Sequence, residues 1–323
     1  MKKTSISNKV NTIAIHPQPP PGPCAIRAHK VRCLFCGMTV MKILWTSGFL
    51  LLFNAMAAAT MQIRSFQALR HSRFYAGADK AFIGDPYDWS GVGRASSSGT
   101  WATLVSDNYF ISATHYHPGA GGSVTFWKTN SLADPSYTYT VAGGQQIGGT
   151  DLWVGWFNSA VNASIERYPV LGLASPADYL NLVQYNYGVD HRLGLNVTEG
   201  YWDDQTVDAS TGFVWAADYD NNDAPSVGGD ETFLQGGDSG APTFNVVSGQ
   251  LALIGIHWAI SDEYPNTNEG EIFVDSAVPA YITEINGVLA ARGQELMVIP
   301  EPSGTLMLCC ILVLGAATTR RRP

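Results

Sequence analysis

The chain has 323 residues, 27 acidic and 19 basic side chains, 33 glycines and a formal net charge of −8, a length that fits one large domain or two small ones. Every acidic residue lies between Asp79 and Glu301, whereas only nine of the basic ones lie between Arg64 and Arg292, so the centre is acidic and the cations gather at the ends. A surface of that sign excludes nucleic acid as a partner, because binding phosphate needs clustered Lys and Arg.

Residues 1–40 show no periodic pattern, and Cys33 and Cys36 have redox or zinc spacing without a partner pair. Met41 opens a more purposeful segment. Lys42 supplies a positive start, Ile43 to Met56 is a mostly apolar run, and Ala57, Ala58 and Ala59 offer a small-residue cleavage site. Residues 41–59 are therefore expected to be a secretory signal peptide, with residues 1–40 a mis-assigned extension and the mature chain starting near Thr60. The remaining cysteines, Cys24, Cys309 and Cys310, also lie near the ends, so no disulfide can brace the centre and no thiolate can bind a metal there.

From Trp101 the pattern is that of strands. Short β-branched and aromatic runs occur at 101–105, 109–113, 124–127, 137–141 and 152–157, separated by Gly, Asn and Asp turns. They resume at 182–187, 213–216, 243–247, 251–258 and 272–274. Many short strands at regular spacing predict an all-β barrel or sandwich. One helix is expected near the end, capped by Asp275 or Ser276, with Pro279 in its first turn, Val278, Ile282, Ile285 and Leu289 at helical spacing, and Gly293 as its stop.

The acidic stretch 218–223 gathers the oxygen ligands that calcium takes. It lacks the glycine and glutamate of an EF-hand loop, and a solvated turn is the expectation, with no metal site. No phosphate-binding glycine motif is present, and no cofactor is implied.

Three short stretches carry chemistry. Gly236-Gly237-Asp238-Ser239-Gly240-Ala241-Pro242 is a glycine-rich turn that can expose a serine hydroxyl and aim the N–H groups of Gly237 and Ser239 at one point. A serine is a weak nucleophile and needs a base and an orienting group. Ala113-Thr114-His115 puts an imidazole at the end of an apolar strand, and Asp151 opens another; His117, Asp107 and Asp134 compete less well for those places. The order His115, Asp151, Ser239 differs from that of α/β-hydrolases and subtilisins.

These motifs together resemble the trypsin/chymotrypsin superfamily of serine proteases over about residues 90–290. The resemblance implies two packed six-stranded antiparallel β-barrels, about 90–170 and 180–290 within a domain at 60–299, closed by the C-terminal helix. It implies His115 as general base and acid, Asp151 as its orienting carboxylate, Ser239 as nucleophile, and Gly237 and Ser239 as oxyanion-hole donors. Asp238 corresponds to a residue that relatives use to hold the oxyanion loop through a buried ion pair, but no activation sequence of the animal type is present.

Phe233 stands where trypsin-type enzymes carry an aspartate, so cleavage after basic residues is not implied. Leu253 to Trp258 resembles the strand of staphylococcal-type glutamyl endopeptidases in which a histidine, here His257, contacts the substrate glutamate. Phe233, His257 and Trp258 are accordingly the expected substrate-binding residues. Ala259 and Ile260, in place of glycines, would narrow such a pocket.

Residues 300–323 close the chain with Pro300-Glu301-Pro302-Ser303, an apolar run from Leu306 to Ala317, and Arg320-Arg321-Arg322. This order resembles the Pro-Glu-Pro (PEP-CTERM) sorting signal of Gram-negative exosortase substrates. It implies export across the inner membrane, handling by exosortase-type machinery and transient membrane contact through the tail. The apolar run is short of the roughly 17–25 residues that span a bilayer, although a permanent short anchor is the alternative.

The sequence reading is thus a secreted serine endopeptidase acting on protein or peptide substrates through an acyl-enzyme. The alternative is a catalytically silent surface module for binding or adhesion on the same fold, with an esterase using the same three residues as a further option.

Overall fold

The computed structural model describes residues 60–219, 225–261 and 271–300. The segments expected to be a signal peptide and a mis-assigned extension, all but the first residue of the expected sorting tail and most of the acidic loop at 218–223 lie outside them. Among the described residues, no helix is long and apolar enough to cross a membrane.

After β1 (Gln62–Ile63) and one helical turn, α1 (Ala68–His71), come β2 (Val92–Ala95), β3 (Trp101–Leu104), β4 (Tyr109–Ala113), β5 (Ser123–Trp127), β6 (Ser136–Gln146) and β7 (Leu152–Phe157). Strands β2 to β7 close into an antiparallel barrel in the order β2-β3-β4-β7-β6-β5. The second half contributes β8 (Val170–Gly172), β9 (Val183–Gly188), β10 (Arg192–Val197), β11 (Gly200–Val207), β12 (Ser210–Asp218) and β13 (Thr232–Phe233). It continues with β14 (Pro242–Val247), β15 (Gln250–Ser261), β16 (Ile272–Ala277), the helix α2 (Ile282–Leu289) and β17 (Val298–Pro300).

These strands form a nine-stranded sheet, larger than the six strands expected. Its main path runs β10-β9-β14-β15-β16-β12-β11, with β8 joining β15 and β17 joining β8, while β13 pairs with β1 apart from it.

Alternation along the strands explains how two layers share one core. In β4, Phe110 points into the barrel with Leu104, Phe126 and Phe157, whereas Tyr109, Ile111 and Ala113 pack on the other side. There they meet Leu152 and Val154 of β7 together with Tyr187, Leu193, Phe244, Leu253 and Ile256 of the second half. All five residues of β4 are buried. With about 1.5–3 kcal/mol for each large apolar side chain taken from water, this strand and its end are among the most firmly fixed parts of the molecule.

The helix starts later than its sequence signals indicate. Asp275 and Ser276 belong to β16, and a 3₁₀ turn over Val278–Tyr281 leads into α2. The reason is that the Asp275 carboxylate is already bonded inside the sheet, to His257 and Thr243, and so is not available as a cap. Gly293 follows the helix at φ 67°, the left-handed conformation that suits glycine after a helix end.

Candidate active site

Strand register brings the first two candidate residues together. β4 and β7 pair antiparallel with Ala113 opposite Leu152, so the residues just past the end of one strand meet those just before the other. Thr114 extends the ladder, its N–H donating to the Asp151 carbonyl at 2.6 Å. His115 follows, and Asp151 holds it at two points. One carboxylate oxygen accepts from the His115 backbone N–H at 3.0 Å, and the other lies 2.7 Å from Nδ1.

Asp151 is 1% exposed and the His115 ring 41% exposed. Burial raises the carboxyl pKa of Asp151, while the bonds from His115 act against that rise. A carboxylate at Nδ1 keeps the proton of the neutral imidazole there and leaves the Nε2 lone pair as the base. His117, the competing histidine, instead stacks on Trp153 with ring centres 3.8 Å apart, and burial lowers its pKa.

Ser239 lies in the turn between β13 and β14 and is half-buried. Two glycines shape that turn, Gly237 at φ 104° and Gly240 at φ 82°. Gly240 is also a point of close approach. A Cβ there would lie 2.8 Å from the Tyr116 carbonyl oxygen, 2.9 Å from Ser112 Oγ and 3.3 Å from the Ala113 nitrogen. The residue after the serine is thus seated against the segment that carries His115. Gly240→Ala is expected to cost about 1–3 kcal/mol through strain at this φ and to lower activity, seen as a reduced melting temperature together with a reduced turnover.

The remaining bonds of the turn explain how it keeps its shape. Trp101 Nε1 donates to the Gly237 carbonyl at 3.1 Å. Gly240 N–H donates to the His257 carbonyl, and His257 N–H donates to the Ala241 carbonyl, both at 2.9 Å. The N–H groups of Gly237 and Ser239 meet no acceptor among the described residues, which leaves them able to bind a ligand oxygen.

Asp238 is fully buried, yet no cation is within ion-pair reach among the described residues. Its carboxylate accepts from two main-chain groups, Val189 N–H and Gln235 N–H, each at 2.7 Å. These bonds stand where relatives use an ion pair, and they answer how the loop is held, which the sequence left open. Val189 sits in the β9–β10 hairpin, next to Asp190 and His191, which have φ values of 61° and 54°. Non-glycine residues seldom adopt this conformation, which costs of order 1–3 kcal/mol and persists only where the surroundings enforce it. Here they include Trp101 and Trp127, edge-on to the His191 ring at 5.4 and 4.9 Å. Burial lowers the His191 pKa to about 3, so its imidazole is neutral.

Burial pushes the Asp238 pKa up to about 6, although the Val189 and Gln235 bonds oppose it. A carboxyl whose pKa is raised on folding gives stability that is complete below its unfolded value, about 3.9, and lost as pH rises through the folded value. Asp238→Asn is expected to flatten stability between about pH 4 and 6, because it removes that titration. At neutral pH it should cost about 1–3 kcal/mol, since the amide turns a donor toward one of two buried N–H groups. Denaturant unfolding of both proteins across this range measures both effects.

The three residues expected to bind substrate are all buried. Phe233 is packed with Met61, Ile63, Ala217, Leu234 and Phe273. Trp258 is packed with Val214, Ala216, Ile272 and Val274. His257 is 1% exposed, with Nδ1 2.7 Å from an Asp275 oxygen and Nε2 3.0 Å from the Tyr187 carbonyl oxygen. Burial works against its protonation, but the charge and hydrogen bond of Asp275 prevail and raise its pKa. It is an internal ion-pair histidine with both ring nitrogens engaged, which corrects the expectation of a free imidazole for a substrate carboxylate. Its main chain, bonded to Gly240 and Ala241, supports the serine turn instead.

Among solved structures, the chain is similar to the NS6 protease of murine norovirus. An inactive mutant of it with a C-terminal extension aligns at 19% identity and a TM-score of 0.37, covering 58% of this chain and 97% of that one. The NS6 protease from murine norovirus 1 aligns at 18% identity and the same TM-score of 0.37, covering 61% and 93%. No family model and no curated protein sequence matches the chain. At these TM-scores the likeness carries no argument about the site, where Asp151 holds His115 and the Ser239 turn packs on the same segment through Gly240, with no hydrogen bond between Ser239 and His115 among the described residues.

Val189, Trp101 and Gly240 were not among the residues singled out as functional. Val189 and Trp101 gave no signal, since each reads as an ordinary apolar strand residue. Gly240 did signal a turn, but its tight packing on Ser112 and Tyr116 depends on contacts far apart in the chain.

Proposed function

We propose that this chain is an exported serine endopeptidase in which Ser239 attacks the scissile carbonyl. His115 takes the serine proton at Nε2 and returns it to the leaving amine, and Asp151 fixes the ring and stabilises the imidazolium. The N–H groups of Gly237 and Ser239 bind the oxyanion of the tetrahedral intermediate, water then releases the acyl group by the reverse sequence, and no cofactor enters. The signal segment would direct export, and the tail would present the protein to exosortase-type sorting machinery at the membrane.

The observation that carries this reading is the two-point hold of Asp151 on His115. It is a costly arrangement for a merely structural residue, because it buries a carboxylate to orient a ring that remains exposed. The serine turn adds support through its two unbonded N–H groups and the seating of Gly240 on the His115 segment. Incubating the mature protein with a mixed peptide library should yield cleaved peptides, and Ser239→Ala protein should yield none. Intact peptides from folded, correctly processed wild-type protein would favour the silent binding module.

A further inference from the structure

Arg94 is a cation with an unmet demand beside the candidate site. Strand alternation turns it out of the barrel, since at the preceding position a Cβ on Gly93 would meet Phe126 and Val124 of the barrel interior. Its guanidinium lies over the Trp101 ring, 4.7 Å from the centroid, and Trp101 in turn bonds the Gly237 carbonyl of the serine turn. On the other side, Arg94 Nη2 and the Tyr116 hydroxyl approach the same point beside Gly99, at 3.4 and 3.3 Å. Tyr116 directly follows His115. The side chain therefore borders Trp101, which bonds the turn of the nucleophile, and the hydroxyl end of Tyr116, which follows the base in sequence.

Arg94 is less engaged than most described arginines. Arg292 also lacks a carboxylate, but its Nη1 donates to the Phe157 carbonyl at 2.7 Å and it lies over the Tyr109 and Trp156 rings. Arg64, Arg70, Arg167 and Arg192 each lie within ion-pair reach of a carboxylate. Arg73 is fully buried, but its guanidinium bonds the carbonyl oxygens of Trp127 and Thr129 and the side chain of Asn130. Arg94 spends only Nε, on the Gly99 carbonyl at 3.2 Å. Its two terminal nitrogens have no acceptor and no carboxylate lies within ion-pair reach among the described residues, although its charge is felt by the buried Asp238. A guanidinium stacked on an indole is held in one plane, and its free edge matches a carboxylate in two parallel hydrogen bonds.

We propose that Arg94 is a specificity-determining residue that binds the side-chain carboxylate of an aspartate or glutamate flanking the scissile bond, so that the substrates are acidic peptides. This inference rests on the peptidase reading and names the substrate class of that same site. It moves recognition of acidic residues away from His257, whose ring is enclosed, to a cation at the opposite layer. Partial burial against Trp101 makes the pair worth more than a fully solvated one, and added salt weakens it.

The test compares peptides that differ only in carrying Glu or Gln at one flanking position, scanned through each position in turn. At one position, wild-type protein should cleave the Glu peptide with kcat/KM about tenfold higher, the size expected of one charge-assisted contact. Raising salt should shrink that ratio. In Arg94→Gln the ratio should fall to about one, in Arg94→Lys part of it should remain, and in Arg94→Glu it should invert, for a contact of this kind. Equal cleavage of both peptides by wild type at every position, or a ratio kept intact in Arg94→Gln, would overturn the proposal and leave the peptidase reading standing. Should wild type cleave nothing, the peptidase reading falls. Calorimetry on Ser239→Ala protein then still decides whether the site prefers acidic peptides, and equal affinities for Glu and Gln peptides overturn the role of Arg94.

Discussion

Replacing Ser239 by alanine is expected to lower kcat by about a millionfold on any peptide the wild type cleaves, with KM little changed. The size follows from the division of labour in the site. Without the hydroxyl no acyl-enzyme can form, and only direct attack by water remains, aided by the Gly237 and Ser239 N–H groups. Such residual help amounts to about 10³–10⁴ over the uncatalysed reaction. The protein itself should be unharmed. Ser239 is half-buried and the turn is held by Asp238, Gly240, Ala241 and Trp101, so stability should move by no more than about 0.5 kcal/mol. Burst-phase kinetics alongside thermal unfolding separate the two quantities. A loss of only a few fold with the fold intact would remove Ser239 from the chemistry.

Asp151→Asn is expected to lower kcat by about 10⁴-fold at neutral pH, the magnitude typical of a serine triad whose carboxylate is neutralised. The asparagine oxygen can still accept from the His115 N–H, which preserves the loop. The amide nitrogen, however, would face Nδ1 at the 2.7 Å position and donate to it. The neutral ring then carries its proton on Nε2, which leaves no base facing the serine. Turnover at neutral pH, measured beside the chemical shifts of the imidazole nitrogens, checks both the loss and its cause. A drop below tenfold would make Asp151 a structural carboxylate.

The mostly-β class was legible because short apolar runs and turn residues alternate along most of the chain. Runs such as 109–113 and 152–157 coincide with β4 and β7. Strands β10 and β11 were not anticipated, since Arg192–Val197 and Gly200–Val207 mix glycine, asparagine and aspartate into their alternation and read as turns. The meeting of His115 and Asp151 could be foreseen as chain order, but their two-point contact is a property of register, set by Ala113 opposite Leu152.

Phe233, His257 and Trp258 show what local pattern leaves open. A motif names the strand, but the bulge between His257 and Ala259 and the pairing with β16 decide which atoms face solvent. Asp275 read as a helix cap because polar residues before an apolar repeat commonly are. Its true partner, His257, lies 18 positions earlier in the chain. The support of Asp238 by Val189 was hidden for the same reason, at a separation of 49 residues.

The central claim is that Ser239 becomes nucleophilic because His115, held by Asp151, takes its proton. Mass spectrometry of the mature protein after exposure to a fluorophosphonate tests it most directly. The account predicts a single adduct on Ser239 in the wild type and none in His115→Ala protein that is still folded. An unmodified Ser239 in the wild type, an adduct at another residue, or equal labelling without His115 would contradict it.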